Sequence, residues 1–170
     1  GRLPVWELAA NETDCMIGYH SVSVIADAYM KGIRDYDAGL ALEAMVHSAT
    51  LDHFGLASYK AKQYIPLTEE SESVSKTLEY AYDDWAIAQM AAEMGEEEIH
   101  KTFLKRGQYY KNLYDPESGF MRAKANEGWF SPFDPREVNF NYTEANSWQY
   151  SFYVPQDVSG LVALSGGEQT

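Results

Sequence analysis

The chain has 170 residues, a formal net charge of −13 and 45% hydrophobic residues. The acidic balance argues against nucleic acid and anionic membranes as partners, because phosphate groups are bound by clustered lysine and arginine. The hydrophobic share predicts a packed core rather than disorder, and no apolar stretch is long enough to span a bilayer. A lone cysteine, Cys15, rules out an internal disulfide, and we expect it to be a small buried side chain.

Four helices are predicted in chain order from apolar side chains at helical spacing. The first covers about residues 21–31, and the second starts at the N-cap Asp37 and ends before 54–55. The third covers about 73–94 and the fourth about 96–114. The third is apolar on nearly every side, which indicates a helix buried inside the molecule. The fourth carries a polar stripe and is predicted to lie outside it. The two resulting αα-hairpins favour a helical array or toroid over a four-helix bundle.

The sequence changes in character after the fourth helix. A turn is predicted at residues 115–120, and a short β-hairpin is an option around 126–128. A proline-punctuated aromatic loop follows at 131–135. Long loops in a compact domain are more often functional than idle. Short helices near 146–153 and 156–164 complete a mainly α fold.

Glu144 is the leading candidate for acid chemistry. Its sequence neighbours are aromatic or able to form hydrogen bonds: Tyr142, Asn146, Trp148, Gln149 and Tyr150. Glycoside hydrolysis uses one protonated carboxyl to give the leaving oxygen its proton and one carboxylate to activate water or attack carbon. The alternative is a carboxylate at a helix N-terminus that stabilises the helix dipole beside the cap Asn146. The residues alone leave both alternatives open.

Other candidates lie earlier in the chain. Asp83 and Asp84 fall in the middle of the buried third helix, where two carboxylates are costly unless they are hydrogen-bonded or face a wet cavity. One could face a sugar pocket, or both could be structural hydrogen-bond hubs. Trp6 and Trp148 could stack on sugar rings, although aromatic side chains are more often core. The spacing of the histidines matches no zinc-binding helix, so no metal site is predicted within the chain.

Several stretches, in order along nearly the whole chain, resemble glycoside hydrolase family 92. Among them are Glu12-Thr13, Met16-Ile17-Gly18-Tyr19-His20-Ser21, Tyr80-Ala81-Tyr82-Asp83-Asp84-Trp85 and Thr143-Glu144-Ala145-Asn146-Ser147-Trp148-Gln149-Tyr150. That family comprises calcium-dependent, exo-acting α-mannosidases that invert the anomeric centre. They join an N-terminal β-sandwich to a catalytic (α/α)6 toroid, and the resemblance implies that the αα-hairpins predicted here are part of such a toroid.

The resemblance implies that Glu144 is the general acid of terminal α-mannoside hydrolysis, with α-1,2 linkages expected in the mannose-containing glycan. The residues predicted to line the substrate pocket are Trp6, Glu7, His20, Asp83, Asp84 and Trp148. The family's aspartate base, calcium ligands and β-sandwich are expected outside residues 1–170. We therefore expect an excised segment of a secreted, periplasmic or cell-surface protein, without its signal, that is inactive alone and self-associates through exposed apolar flanks.

Two alternatives to this function stay open. A toroid of the same architecture could act on a different carbohydrate, because a fold does not fix a function. The chain could also be a carbohydrate-binding or structural fragment in which aromatic side chains hold sugar without turnover. Measuring hydrolysis and sugar binding after loss of the Glu144 carboxyl distinguishes the alternatives: the acid role predicts that hydrolysis is lost while sugar binding persists.

Overall fold

The computed structural model describes residues 2–167. Its helices are α1 (Ser21–Met30), α2 (Ala38–Ser48), α3 (Leu56–Lys62), α4 (Ser73–Met94), α5 (Glu97–Arg106), α6 (Ser147–Tyr150) and α7 (Val158–Leu164), with a 3₁₀ turn at Tyr109–Leu113. Its strands pair as short antiparallel hairpins: β1 (Glu7–Leu8) with β2 (Asn11–Glu12), β3 (Tyr114–Asp115) with β4 (Phe120–Met121), and β5 (Lys124–Ala125) with β6 (Gly128–Trp129). The predicted mainly α fold with a hairpin around 126–128 is confirmed.

Helix α4 is the centre of the fold, and its bounds are those predicted from the sequence. Helices α1, α2 and α5 pack around its C-terminal half and enclose Ile87 and Met90, while residues after α5 enclose Val74 and Leu78. A helix that is apolar on nearly every side is stable only in such surroundings. Polar side chains on α4 must therefore find their partners inside the protein.

The hairpin from α4 to α5 turns at Gly95, whose φ of 79° lies in the left-handed region that favours glycine. Helix α5 begins with Glu97 and Glu98 and ends with Lys105 and Arg106. This order places negative charge at the positive end of the helix dipole and positive charge at its negative end. The predicted inner and outer helices joined by a tight glycine turn are confirmed.

The predicted helix over 96–114 is wrong in its second half. Helix α5 ends before Gly107, and a 3₁₀ turn at Tyr109–Leu113 replaces further α-helix. A Cβ built on Gly107 would lie 3.2 Å from the Cβ of Trp85, so the chain approaches α4 at contact distance there. Glycine is a weak helix former and permits this close approach. Because the α-helix ends there, the side chains of Tyr109, Tyr110 and Leu113 point into the core.

The short elements α3 and β1–β2 are absent from the sequence-based prediction. Helix α3 starts directly after Gly55, a residue type that more often marks a helix end. Its Tyr59 is fully buried, so tertiary packing stabilises a helix too short to be recognised by periodicity. Cys15 was expected to be buried but is exposed, because it lies on the loop between β2 and α1.

Two hydrophobic clusters form the core. One includes Met45 and Ile87 and joins the first five helices. The other includes Leu113 and Met121 and lies beneath the C-terminal hairpins. Helix α4 contributes to both clusters and so connects the helical hairpins to the segment that carries Glu144. Within residues 2–167, no helix combines the length and apolar character needed to cross a bilayer.

Candidate functional site

The segment before Glu144 lies across the start of α4 and caps it. The N–H of Glu72 donates to the carbonyl oxygen of Phe140 over 2.6 Å, and the N–H of Val74 donates to that of Asn141 over 3.1 Å. The first N–H groups of a helix have no acceptors within the helix. This segment supplies acceptors for two such groups. Capping of α4 thereby brings Glu144 to the N-terminal end of the central helix.

The backbone at Glu144 is in the left-handed region, with a φ of 50°. For a residue with a Cβ this conformation costs about 1–2 kcal/mol, and it persists because the chain is fixed on both sides. On the far side, the Asn146 side chain accepts from the N–H of Gln149 and the Gln149 side chain accepts from the N–H of Asn146, each over 3.1 Å. This capping box starts α6. A rigid turn therefore presents the carboxylate.

The Glu144 side chain is exposed and lines a surface cleft of about 360 Å³. The other lining residues are Ser71, Glu72, Val138, Asn139, Phe140 and Tyr142. Phe140 is 90% exposed, so the cleft has a large uncovered aromatic wall. Asn146 and Gln149, expected as hydrogen-bonding partners of Glu144, bond to each other instead. The cap role of Asn146 is thus confirmed, and its proposed bond to the carboxylate is not formed among the described residues.

Trp148 lies on α6 and is 48% exposed. Its ring meets Phe120 edge-on at 5.0 Å between ring centres and stacks on Phe152 at 6.1 Å. Trp148 is not among the residues that line the Glu144 cleft. An aromatic cluster with an open face can hold a sugar ring, so substrate contact by Trp148 stays a prediction.

Trp6 and Glu7 are exposed residues of the N-terminal loop and hairpin. The Glu12 carboxylate organises this loop by accepting from the backbone N–H groups of Asp14, Trp6 and Val5 over 2.8, 3.0 and 2.7 Å. These bonds, above all the one from Asp14, lower the pKa of Glu12 to about 2. Neither Trp6 nor Glu7 lines the Glu144 cleft, so their substrate contacts also stay predictions.

A smaller cavity of about 80 Å³ lies between the N-terminal loop and α4. Its lining residues are Val5, Asp14, Cys15, Met16, Ile17, Gly18, Phe54, Glu72, Lys76 and Tyr80. Glu72 lines both this cavity and the Glu144 cleft, so the two cavities lie on either side of the start of α4. Glu72 is not among the site residues predicted from the sequence, where its place just before a predicted helix is the only signal.

Asp84 is fully buried and bonded to three side chains of this chain. Its carboxylate accepts from the Tyr19 hydroxyl over 2.5 Å, the Tyr59 hydroxyl over 3.0 Å and Arg106 Nε over 2.7 Å. Burial raises the pKa of Asp84 to about 6, although Arg106 acts to lower it. Of the two alternatives for this residue, the contacts are those of the structural hub. Both carboxylate oxygen atoms are bonded and enclosed among the described residues, and contact of Asp84 with substrate stays a prediction.

Asp83 is equally buried, but its carboxylate contacts His20 at the start of α1. One oxygen atom accepts from the N–H of Tyr19 over 2.8 Å, and the other lies 2.9 Å from His20 Nδ1. On the other side of the ring, His20 Nε2 lies 3.3 Å from the Glu79 carboxylate. The structure thus brings the predicted residues His20 and Asp83 together and adds Glu79. Glu79 precedes Asp83 by four residues on one helical face, a signal that sequence analysis did not use.

The two carboxylates favour the protonated form of His20. Burial of the ring lowers its pKa, but the hydrogen bond and charge of Asp83 and the charge of Glu79 together raise it to about 8. Burial raises the pKa of both carboxyl groups, and His20 acts to lower each of them. At neutral pH, the cation at His20 therefore balances the buried negative charge on α4.

This arrangement predicts a pH-dependent stability. The pKa of His20 rises from 6.5 to about 8 on folding, so its contribution to the free energy of unfolding is complete below pH 6.5 and is lost as pH rises through 8. We expect urea unfolding at pH 6 to 9 to show this loss in the wild-type chain and a flatter profile in His20→Gln.

His53→Gln is the matched control for that measurement. Burial and then Arg2 lower the pKa of His53, so its contribution to stability has the opposite sign and increases as pH rises. We expect the His53→Gln profile to keep the loss of stability through pH 8. Identical profiles for His20→Gln and the wild-type chain would contradict the assigned role of the His20 charge.

Calcium, which the resemblance implies, needs about six to eight oxygen ligands. Among residues 2–167, no group of three or more histidine, cysteine, aspartate or glutamate side chains could hold a metal ion. The acidic side chains described above are also engaged: Asp84 with Arg106, and Asp83 with His20. The described residues thus do not fit a calcium site by themselves.

Comparison with known proteins gives consistent matches. The sequence pattern of the glycosyl hydrolase family 92 catalytic domain matches residues 1–170. A family GH92 α-mannosidase from Bacteroides thetaiotaomicron is 44% identical, with a TM-score of 0.94 over 97% of this chain and 23% of its own. Its complex with mannoimidazole gives 43% identity and a TM-score of 0.93 over the same shares. A family GH92 inverting mannosidase from Bacteroides thetaiotaomicron VPI-5482 is 41% identical, with a TM-score of 0.90 over 95% of this chain and 23% of its own.

A more distant match comes from a fungus. An uncharacterized secreted glycosidase from Arthroderma benhamiae is 27% identical over 208 residues, which is 98% of this chain and 27% of the relative. The chain spans about a quarter of the length of these relatives. The family pattern covers residues 1–170, and the solved structures align with 95–97% of the chain. The chain belongs to the catalytic domain of glycosyl hydrolase family 92.

Proposed function

We propose that this chain forms part of an exo-acting α-mannosidase and supplies its general acid, Glu144. The observation that carries the proposal is the placement of Glu144 on a strained, doubly fixed turn at a cleft beside the central helix. Backbone strain is kept at sites where a side chain must be presented in one position. The mannosidase names of the matched solved structures support the substrate class.

In this mechanism, Glu144 donates its proton to the leaving oxygen of a terminal α-mannoside, with α-1,2 linkages as the expected substrates. Inversion requires a second carboxylate about 6.5–9.5 Å away, with room for the attacking water between the two. The relative named as an inverting mannosidase supports this stereochemistry. The base is assigned to a part of the enzyme outside these residues, so the 170-residue chain alone is expected to be inactive.

Any calcium ion of the complete enzyme is expected to bind outside the described residues of this chain. When bound, it would hold sugar hydroxyl oxygen atoms and favour ring distortion, with ligands outside the described residues. The residues of this chain present the proton and shape the cleft. A secreted, periplasmic or cell-surface location belongs to the same proposal, and the secreted fungal glycosidase supports it.

The anomeric form of the released sugar tests the proposal. We expect the complete enzyme that carries this chain to release β-mannose first from a terminal α-linked mannoside, and the α anomer to appear only by later mutarotation. Proton NMR of the anomeric signals during the first minutes measures this directly. Absence of mannose release, or first appearance of α-mannose, would overturn the assignment as an inverting mannosidase.

A non-catalytic function has one observation in its favour. The open cluster of Phe120, Trp148 and Phe152 could hold sugar rings without any acid. Under that alternative, the complete protein binds mannosides but releases no mannose, and loss of the Glu144 carboxyl leaves binding unchanged. The NMR measurement distinguishes it from the hydrolase.

A further inference from the structure

A line of bonded side chains runs from α1 through α4 to the segment that follows Glu144. Asp83 lies 2.9 Å from His20 Nδ1, and His20 Nε2 lies 3.3 Å from one oxygen atom of Glu79. The other oxygen atom of Glu79 accepts from the Tyr150 hydroxyl over 3.5 Å. Tyr150 is the last residue of α6. The line thus ends on the short helix that begins three residues after Glu144.

The His20 end of this line is rigid. Asp83 is fully buried and uses both oxygen atoms, one on the Tyr19 N–H and one on the His20 ring. Gly18 packs against the ring, and a Cβ there would lie 2.5 Å from two ring atoms and 3.1 Å from an Asp83 oxygen atom. The ring is therefore held with Nδ1 toward Asp83 and Nε2 toward Glu79. As a cation, it donates at both nitrogen atoms.

The Glu79 end faces tyrosines. Glu79 is 8% exposed, and the Tyr153 hydroxyl, like the Tyr150 hydroxyl, acts to lower its pKa. The titratable groups that face His20 and Glu79 are Asp83 and Tyr82 on α4 and Tyr150 and Tyr153 on the α6 side. A buried carboxylate is tolerated only with such donors and a nearby cation. Glu79 therefore holds the α6 segment and the α1–α4 pair together.

Tyr150 connects this line to the backbone on both sides of Glu144. Its ring packs against the ring of Tyr142 with 6.4 Å between ring centres, and Tyr142 lies two residues before Glu144. The N–H of Thr143 in turn donates to Ser75 Oγ over 2.9 Å. Movement of Tyr150 would therefore disturb its contact with Tyr142 and shift α6, of which it is the last residue. The strained turn at Glu144 lies between these two supports.

We propose that Glu79 is a positioning residue for the general acid: it holds Tyr150, and His20 fixed by Asp83 holds Glu79 in place. The inference rests on the proposed function, because it concerns delivery of the Glu144 proton. A misplacement of about 1 Å can lower a rate by about 100-fold. Such a defect falls on substrates that need the acid and spares those whose leaving group departs without a proton.

The test compares two α-mannosides in the complete enzyme: a disaccharide with a poor leaving group and an aryl mannoside with an activated one. We expect Glu79→Gln to lower kcat for the disaccharide by at least about tenfold more than for the aryl mannoside. The matched control is Glu93→Gln, on the same helix, whose exposed carboxylate pairs with Arg34. The control should hydrolyse both substrates as the wild-type enzyme does.

Tyr150→Phe keeps the test decisive where Glu79→Gln fails to fold, because it removes only the hydroxyl. The same selective loss on the disaccharide, of smaller size, supports the proposal. Equal losses on both substrates, or none, in the folded variants overturn it. Glu144→Gln is assayed alongside. If Glu144→Gln shows no selective loss on the disaccharide, the proposed function fails. If Glu144→Gln shows that loss but Glu79→Gln and Tyr150→Phe do not, only the role of Glu79 fails.

Discussion

Glu144→Gln is expected to lower kcat/KM for an α-linked mannose disaccharide by about 100-fold or more in the complete enzyme, because general acid catalysis contributes about 10²–10⁴-fold. Glutamine keeps the size of the side chain but has no acidic proton to donate. The side chain is exposed and the turn is held by backbone and Asn146 contacts, so the fold should be unchanged. Steady-state release of mannose measures the effect, and sugar binding should persist.

Glu127→Gln is the matched control for this substitution. Glu127 is an exposed glutamate in the β5–β6 turn, and it lines neither the Glu144 cleft nor the smaller cavity. Its replacement should leave kcat/KM within about twofold of the wild-type value, as surface substitutions usually do. Equal turnover by Glu144→Gln and Glu127→Gln would remove Glu144 from the acid role.

The second large effect concerns stability. Arg106→Met leaves the fully buried Asp84 carboxylate without its cation, and we expect the free energy of unfolding to fall by about 3–5 kcal/mol. Arg106 Nε donates to Asp84 over 2.7 Å, and Arg106 Nη2 donates to the carbonyl oxygen of Ala49 over 2.9 Å. The variant also frees that carbonyl, which adds to the loss. Urea unfolding at pH 7 measures the change.

Two further variants show whether the loss comes from the unpaired buried charge. Arg136→Met removes an exposed cation that bonds Asp134 over 2.8 Å, and it should leave the free energy of unfolding nearly unchanged because water screens an exposed ion pair. The double variant Asp84→Leu, Arg106→Met removes both buried charges and should recover part of the stability lost in the single variant. A loss in Arg106→Met no larger than in Arg136→Met would contradict the hub at Asp84.

Periodicity predicted the central helix well because burial and helical geometry act together there. Helix α4 is apolar on nearly all sides, starts and ends at the predicted residues, and closes at Gly95. The same reasoning failed where local propensity was weak and tertiary contact decided the outcome. Helix α3 is stabilised by buried Tyr59, and the chain breaks at Gly107 because of its close approach to α4.

The site was only partly predictable for a related reason. The sequence identifies carboxylates and their spacing, but it does not show which of two adjacent ones meets a cation. Asp84 contacts Arg106 and Asp83 contacts His20, although both residues look alike in sequence. Glu79 was missed because its partners, His20 and Tyr150, come from distant parts of the chain. The acid role of Glu144 came from the ordered resemblance and stays a prediction that its local geometry supports.

The dependence of hydrolysis on the leaving group tests the central claim most directly. In a series of aryl α-mannosides of increasing leaving-group acidity, the wild-type complete enzyme should show kcat/KM nearly independent of that acidity, because Glu144 supplies the proton. Glu144→Gln should show a steep increase and approach the wild-type rate for the most acidic leaving groups. Parallel dependences in the two proteins would contradict proton donation by Glu144.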